Sequence, residues 1–61
     1  MTDAQIHQIK DILRRDLPGW SIVKDSIPVI YNKNSYLVYV EKGSLKRTIL
    51  ITGGRVVGAQ G

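Results

Sequence analysis

Apolar residues along this chain follow two different periods, and the change of period falls at a proline. Up to Asp16, Ile6, Ile9, Ile12 and Leu13 recur three and four positions apart, with Leu17 extending the stripe. That spacing marks one face of a helix over residues 3–16. Gln5, Gln8, Lys10, Asp11, Arg14 and Arg15 fall largely off the stripe. Thr2-Asp3-Ala4-Gln5 fits a capping box, in which a threonine oxygen accepts from the third helical N–H and Gln5 reaches back. Asp3 sits at the positive end of the helix dipole, Arg14 and Arg15 near its negative end. Pro18 stops the helix, because the residue before a proline avoids the α region, and Gly19 permits the reversal.

Beyond the proline the period is two. Ser35-Tyr36-Leu37-Val38-Tyr39-Val40-Glu41 and Leu45-Lys46-Arg47-Thr48-Ile49-Leu50-Ile51-Thr52 are two β-rich arms joined by Lys42-Gly43-Ser44, a strong hairpin signal. With Gly43-Ser44 as the central turn residues, Gly43 takes the φ > 0 position of a type II′ turn. Glu41 then faces Lys46, Val38 faces Ile49 and Tyr36 faces Ile51. Moving the turn back to Lys42-Gly43 shifts the pairing by two and keeps both faces. The opposed Glu41 and Lys46 favour the first register by up to ~1 kcal/mol. Either way Tyr36, Val38, Val40, Ile49 and Ile51 share one face, with Arg47 at its rim. Leu37, Tyr39, Glu41, Lys46, Thr48 and Leu50 share the other.

Shorter segments flank the hairpin. Trp20–Asp25 reads as a short strand, with Trp20 and Ile22 on one side and a break at Asp25-Ser26. Ile27–Tyr31 is extended, and Pro28 confines it to a sheet edge or to a strand's first residue. Asn32–Ser35 is a turn, since asparagine tolerates φ > 0 and bonds its own backbone. Gly53-Gly54 turns the chain again into a last short strand, Arg55–Ala59. The expected fold is α+β: one N-terminal amphipathic helix packed on one face of a three- to four-stranded antiparallel meander, as a single domain over residues 1–61. Ile6, Ile9, Leu13 and Leu17 would meet the Tyr36, Val38, Val40, Ile49, Ile51 face, and Trp20 would close one end.

Length sharpens this picture. A domain of 61 residues buries only about 60% of the surface its unfolded chain exposes. Chains of this size usually add disulfides, a metal or a partner. There is no cysteine, and His7 is the single histidine, which excludes disulfides, thiolate metal sites and cysteine nucleophiles. No cofactor is expected, and self-association is the support left open. No apolar run approaches the ~18 residues of a membrane span, and the amino terminus is polar rather than signal-like. A cytoplasmic setting is expected.

Candidate function follows from the second sheet face. Leu37, Tyr39 and Leu50, with Val23 or Val57 as neighbours, would form an apolar patch that one helix cannot also cover. Such patches mark association. The reading is a non-enzymatic protein-interaction module whose partner is a second copy related by a two-fold axis, or another protein. The alternative is a small nucleic-acid-binding protein, drawn from a net charge of +4 and a pI near 9.8. Its cations would be Lys46, Arg47 and Arg55 on the sheet with Arg14 and Arg15 on the helix. Parity counts against it, because Tyr36 and Tyr39 point to opposite faces, as do Lys46 and Arg47, and Asp11 and Asp16 dilute the helix.

Catalytic constellations are thin. His7 has Asp3 and Asp11 four residues to either side, yet no partner nucleophile is recognisable. Gly53-Gly54-Arg55-Val56-Val57-Gly58 lacks the Gly-Lys-Ser/Thr of a phosphate loop and lies between strands, as a turn does. Trp20 reads as a core plug.

In order of segments the chain resembles the small PepSY-type domains. The matching stretches are Ile6 to Leu17, Leu17-Pro18-Gly19-Trp20, Tyr36 to Val40, and Thr52-Gly53-Gly54-Arg55-Val56-Val57. The resemblance implies a helix followed by an antiparallel meander and a non-enzymatic inhibitory or interaction role. It carries no functional residue onto this chain.

Overall fold

The computed structural model describes residues 2–60, the last of them by its backbone alone. Helix α1 spans Asp3–Asp16, where the apolar period places it. The Gln5 amide donates to Thr2 Oγ1 at 3.2 Å and the Thr2 amide donates to Gln5 Oε1 at 2.9 Å, so the capping box is complete. At the other end the Leu17 amide donates to the Leu13 carbonyl at 2.7 Å. Gly19 then takes φ = 91°, a backbone state open to glycine at little cost.

The strands are β1 (Ser21–Ile22), β2 (Val29–Asn32), β3 (Ser35–Lys42), β4 (Leu45–Thr52) and β5 (Arg55–Gln60). All pairings are antiparallel. The sheet has five strands in four lateral positions, more than the three or four expected. The reason is that β1 and β2 share one edge: β1 pairs with Val40 and Glu41 of β3, and β2 with Ser35 to Leu37. The strand expected over Trp20–Asp25 shortens to two residues. Asp25 turns into the left-handed region at φ = 67°, and Ser26 Oγ donates to the Val23 carbonyl at 2.7 Å, which ends pairing. The Asn32–Ser35 turn forms without positive φ at either asparagine; instead the Asn34 amide donates to Asn32 Oδ1 at 3.0 Å.

The central hairpin has the register that its link and its charges predict: Lys42 opposite Leu45, Glu41 opposite Lys46, Val38 opposite Ile49, Tyr36 opposite Ile51. Gly43 has φ = 62° and Ser44 does not share it, as a II′ turn requires. Gly53 and Gly54 are both positive, at 61° and 80°, the requirement of a I′ turn. The alternation delivers the core. Ile9 and Leu13 of α1 bury against Val38, Val40, Ile49 and Ile51, and Ile12, Leu17, Trp20, Ile22, Tyr36 and Val56 pack around them. Ile6 is only half-buried.

A polar latch fixes the helix end against the β4–β5 turn. Arg15 Nη2 donates to the Gly54 carbonyl at 2.7 Å. Asp16 accepts from Arg15 Nε at 2.9 Å and from the Val56 amide at 3.1 Å. The Arg15 hydrogen bond first, then the Val56 amide, hold the Asp16 carboxyl below its ordinary value. A depressed carboxyl pKa adds stability that is complete above the unfolded value of about 3.9 and drains as pH falls through the folded value. Asp16→Asn should therefore lose less melting temperature than the parent on acidification below about pH 4. Thermal melts followed by circular dichroism across that range provide the check; parallel acid profiles would remove Asp16 as a source of acid sensitivity.

Candidate interaction face

The side of the sheet away from α1 is built by the same alternation that builds the core. Leu37 and Leu50 are directly paired, as are Tyr39 and Thr48, so the residues expected to share this face do so. Pairing extends the row outward: Val29 of β2 lies opposite Leu37, and Gly58 of β5 lies opposite Leu50. A single row, Val29–Leu37–Leu50–Gly58, thus crosses the whole sheet. Leu37 and Leu50 are half-buried, while Val29 and Tyr39 stand 46% and 43% exposed.

A shallow groove of about 340 Å³ runs along this row, lined by Tyr31, Leu37, Thr48, Leu50, Gly58 and Ala59 among others. Gly58 leaves the groove open at its β5 end, since a Cβ there would project into open space with nothing within 4 Å. Tyr31, 64% exposed, walls the other end. The rim near the β3–β4 turn holds Glu41 opposite Lys46, and Glu41 Oε2 also accepts from the Lys24 amide at 3.3 Å.

Two expected neighbours are placed differently from one another. Val23 is half-buried and its amide donates to the Tyr39 carbonyl at 2.9 Å, which seats it beside the patch. Val57 is the extra residue of a bulge, since Ile51 pairs with Val56 and the adjacent Leu50 with Gly58; it is 53% exposed. Val29, Tyr31 and Gly58 escaped the sequence reading. The alternation of Val29 and Tyr31 was a signal, but which face they join depends on pairing with Leu37, which the segment itself does not encode.

Both sheet edges are blunted. One consists of two short strands separated by Pro28 and the Asp25-Ser26 break, and the other, β5, carries the Val57 bulge. Short strands, proline and bulges hinder edge-to-edge pairing. The face is unguarded where the edges are not.

The five cations considered for nucleic acid do not all converge on one surface. Arg14 pairs with Asp11 at 3.5 Å, and Arg15 is held in the latch with Asp16 and Gly54. Arg55 lies at that same corner, beside Asp16 and Val56. Lys46 shares the parity of the open face, whereas Arg47, paired with the buried Val40, stands on the helix side over the Trp20 ring. His7 is exposed. Among the described residues no helix is long and apolar enough to cross a membrane, and no group of three or more histidine or acidic side chains is arranged to hold a metal. Comparison with protein-family models, with curated proteins and with solved structures returned no match.

Proposed function

We propose that this chain is a non-enzymatic protein-interaction module acting as a homodimer, two copies meeting through their open sheet faces. The observation that carries it is the apolar row Val29–Leu37–Leu50–Gly58, which crosses every lateral position of the sheet and has no second layer of described residues over it. Three features support a second copy as the occupant. Among the described residues the fully buried core comprises only six hydrophobic side chains, so burying a second face adds stability that a domain of this size needs. The face carries both a projection and a recess: the exposed Tyr39 and Tyr31 and the groove ending at Gly58. An isologous interface needs a projection and a recess on the same surface, so that each copy can fill the other. Blunted edges leave face-to-face packing as the route to such a pair.

Sedimentation equilibrium over a wide concentration range tests this. The parent should dimerise, and Leu37→Glu or Leu50→Glu should weaken the dimer by about a hundredfold or more, because each buries a charge at the centre of the contact. Val57→Glu, on the bulge, should leave it intact. Circular dichroism establishes that each variant is folded. A parent that stays monomeric at every concentration, or a Leu50→Glu protein that dimerises as the parent does, would sink the proposal.

A further inference from the structure

On the covered side of the sheet, at the end opposite the latch, the chain assembles a groove that none of its segments announces. It runs between the second half of α1 and β1, has a volume of about 560 Å³, and is lined by Lys10, Leu13, Arg14, Gly19, Trp20, Ser21 and Ile22. No carboxylate lines it. Two more cations reach it from the hairpin. Lys42 lies against Gly19, its Cε and Nζ 3.3 and 3.6 Å from where a Cβ at Gly19 would stand. Arg47 holds its guanidinium carbon 5.9 Å from the centre of the Trp20 ring. Trp20 itself is half-buried, packed on the core and open to the groove along the remainder. Asp11 pairs with Arg14 at 3.5 Å; both side chains are more than 70% exposed, so the pair is weak and readily exchanged. Glu41, the cross-strand partner of Ser21, has the parity of the open face and accepts from the Lys24 amide.

We infer that this groove binds single-stranded nucleic acid, a base taking the place of the exposed Arg47 guanidinium over the Trp20 ring while backbone phosphates meet Lys10, Arg14 and Lys42. Once that exposed guanidinium swings aside, the indole offers flat apolar surface to a base, and every base has a matching π-face. The flanking ammonium and guanidinium groups neutralise phosphate without reading sequence. An acidic peptide would use the charges and leave the ring idle. A duplex keeps its bases stacked inside, out of reach of a half-buried tryptophan. The groove lies away from the open face, so this inference is independent of the homodimer.

Trp20 is the single tryptophan, so its fluorescence reports on the site directly. The probe is an oligothymidylate strand of about ten nucleotides, within the site size of small single-strand binders, titrated at several salt concentrations. Expected are quenching of Trp20 and an affinity whose logarithm falls with log salt at a slope of about −2, the value for three phosphates on a single strand. Lys10→Gln and Lys42→Gln, both exposed positions, should each weaken binding about fivefold and flatten that slope by about 0.7. Leu50→Glu should not alter it. The inference is overturned if the strand leaves Trp20 unquenched at low salt, or if a duplex of equal length binds as tightly. It is equally overturned if both lysine variants bind like the parent, or if polyglutamate binds in preference, which would assign the groove to an acidic protein segment.

Discussion

Val38→Asp should abolish folding at neutral pH, while Tyr39→Asp, one residue along the same strand, should leave the fold intact. Val38 is wholly buried between α1 and the sheet, and Tyr39 is 43% exposed on the far face. An aspartate at 38 either brings an unpaired carboxylate into the apolar layer or takes up a proton to avoid it, and both routes are costly. The penalty exceeds about 4 kcal/mol. At roughly 0.05–0.15 kcal/mol per residue the whole domain holds only about 3–9 kcal/mol. At 39 the same carboxylate stays in water in the single chain, whatever it does to the pairing of two copies. Amide spectra separate the outcomes: collapsed dispersion for the first variant, parent-like dispersion for the second. Two unfolded proteins would mean that the second face is as buried as the first, and two folded ones would dismantle the two-layer description.

Ile49→Ala should come next in severity, at about 3 kcal/mol. Ile49 lies in the middle of β4, between β3 and β5 and beneath α1, with 1% of its surface exposed. The core around the lost side chain is drawn from α1, β3 and β4 itself, so no single shift refills the space. Urea denaturation should show the midpoint falling by about 2–3 M with an unchanged slope, since m for small domains is at least ~1 kcal/mol/M. Leu45→Ala, at a site 55% exposed beside the hairpin turn, should move the midpoint by less than about 0.5 M. Equal shifts at the two positions would contradict the burial pattern.

These contrasts test what the residues themselves disclose. Parity around Gly43-Ser44 determines which of Val38 and Tyr39 is buried, and that parity is local information, as is the three-four spacing of α1. The register came from one opposed pair, Glu41 and Lys46, together with a glycine that alone suits the turn. What escaped was set by tertiary contact. The short β1 depends on Asp25 adopting the left-handed region, which an aspartate does only when its surroundings require it. That β1 and β2 share an edge depends on how β3 distributes its outer hydrogen bonds between them. The bulge at Val57 reconciles two demands, Val56 packing on the core and Gly58 lying opposite Leu50. The Trp20 groove gathers residues from positions 10 to 47, and neither Lys10 nor Lys42 bears any mark of it in its own neighbourhood. Leu37, Tyr39 and Leu50 were legible as a shared face; the row completed by Val29 and Gly58 was not.

The latch between Asp16 and Val56, residues 40 positions apart, sets an order of events during synthesis. The helix leaves the ribosome before the strands, but a 14-residue amphipathic helix is marginal in water by itself. Its apolar stripe finds a surface only when β3 and β4 have both emerged and closed, because Val38 and Val40 come from one and Ile49 and Ile51 from the other. The final anchor waits for β5. A nascent chain therefore gains the tertiary structure of this domain late, in a nearly all-or-none step after both β3 and β4 have been made. The helix, made before the strands it packs on, is among the last elements to be secured.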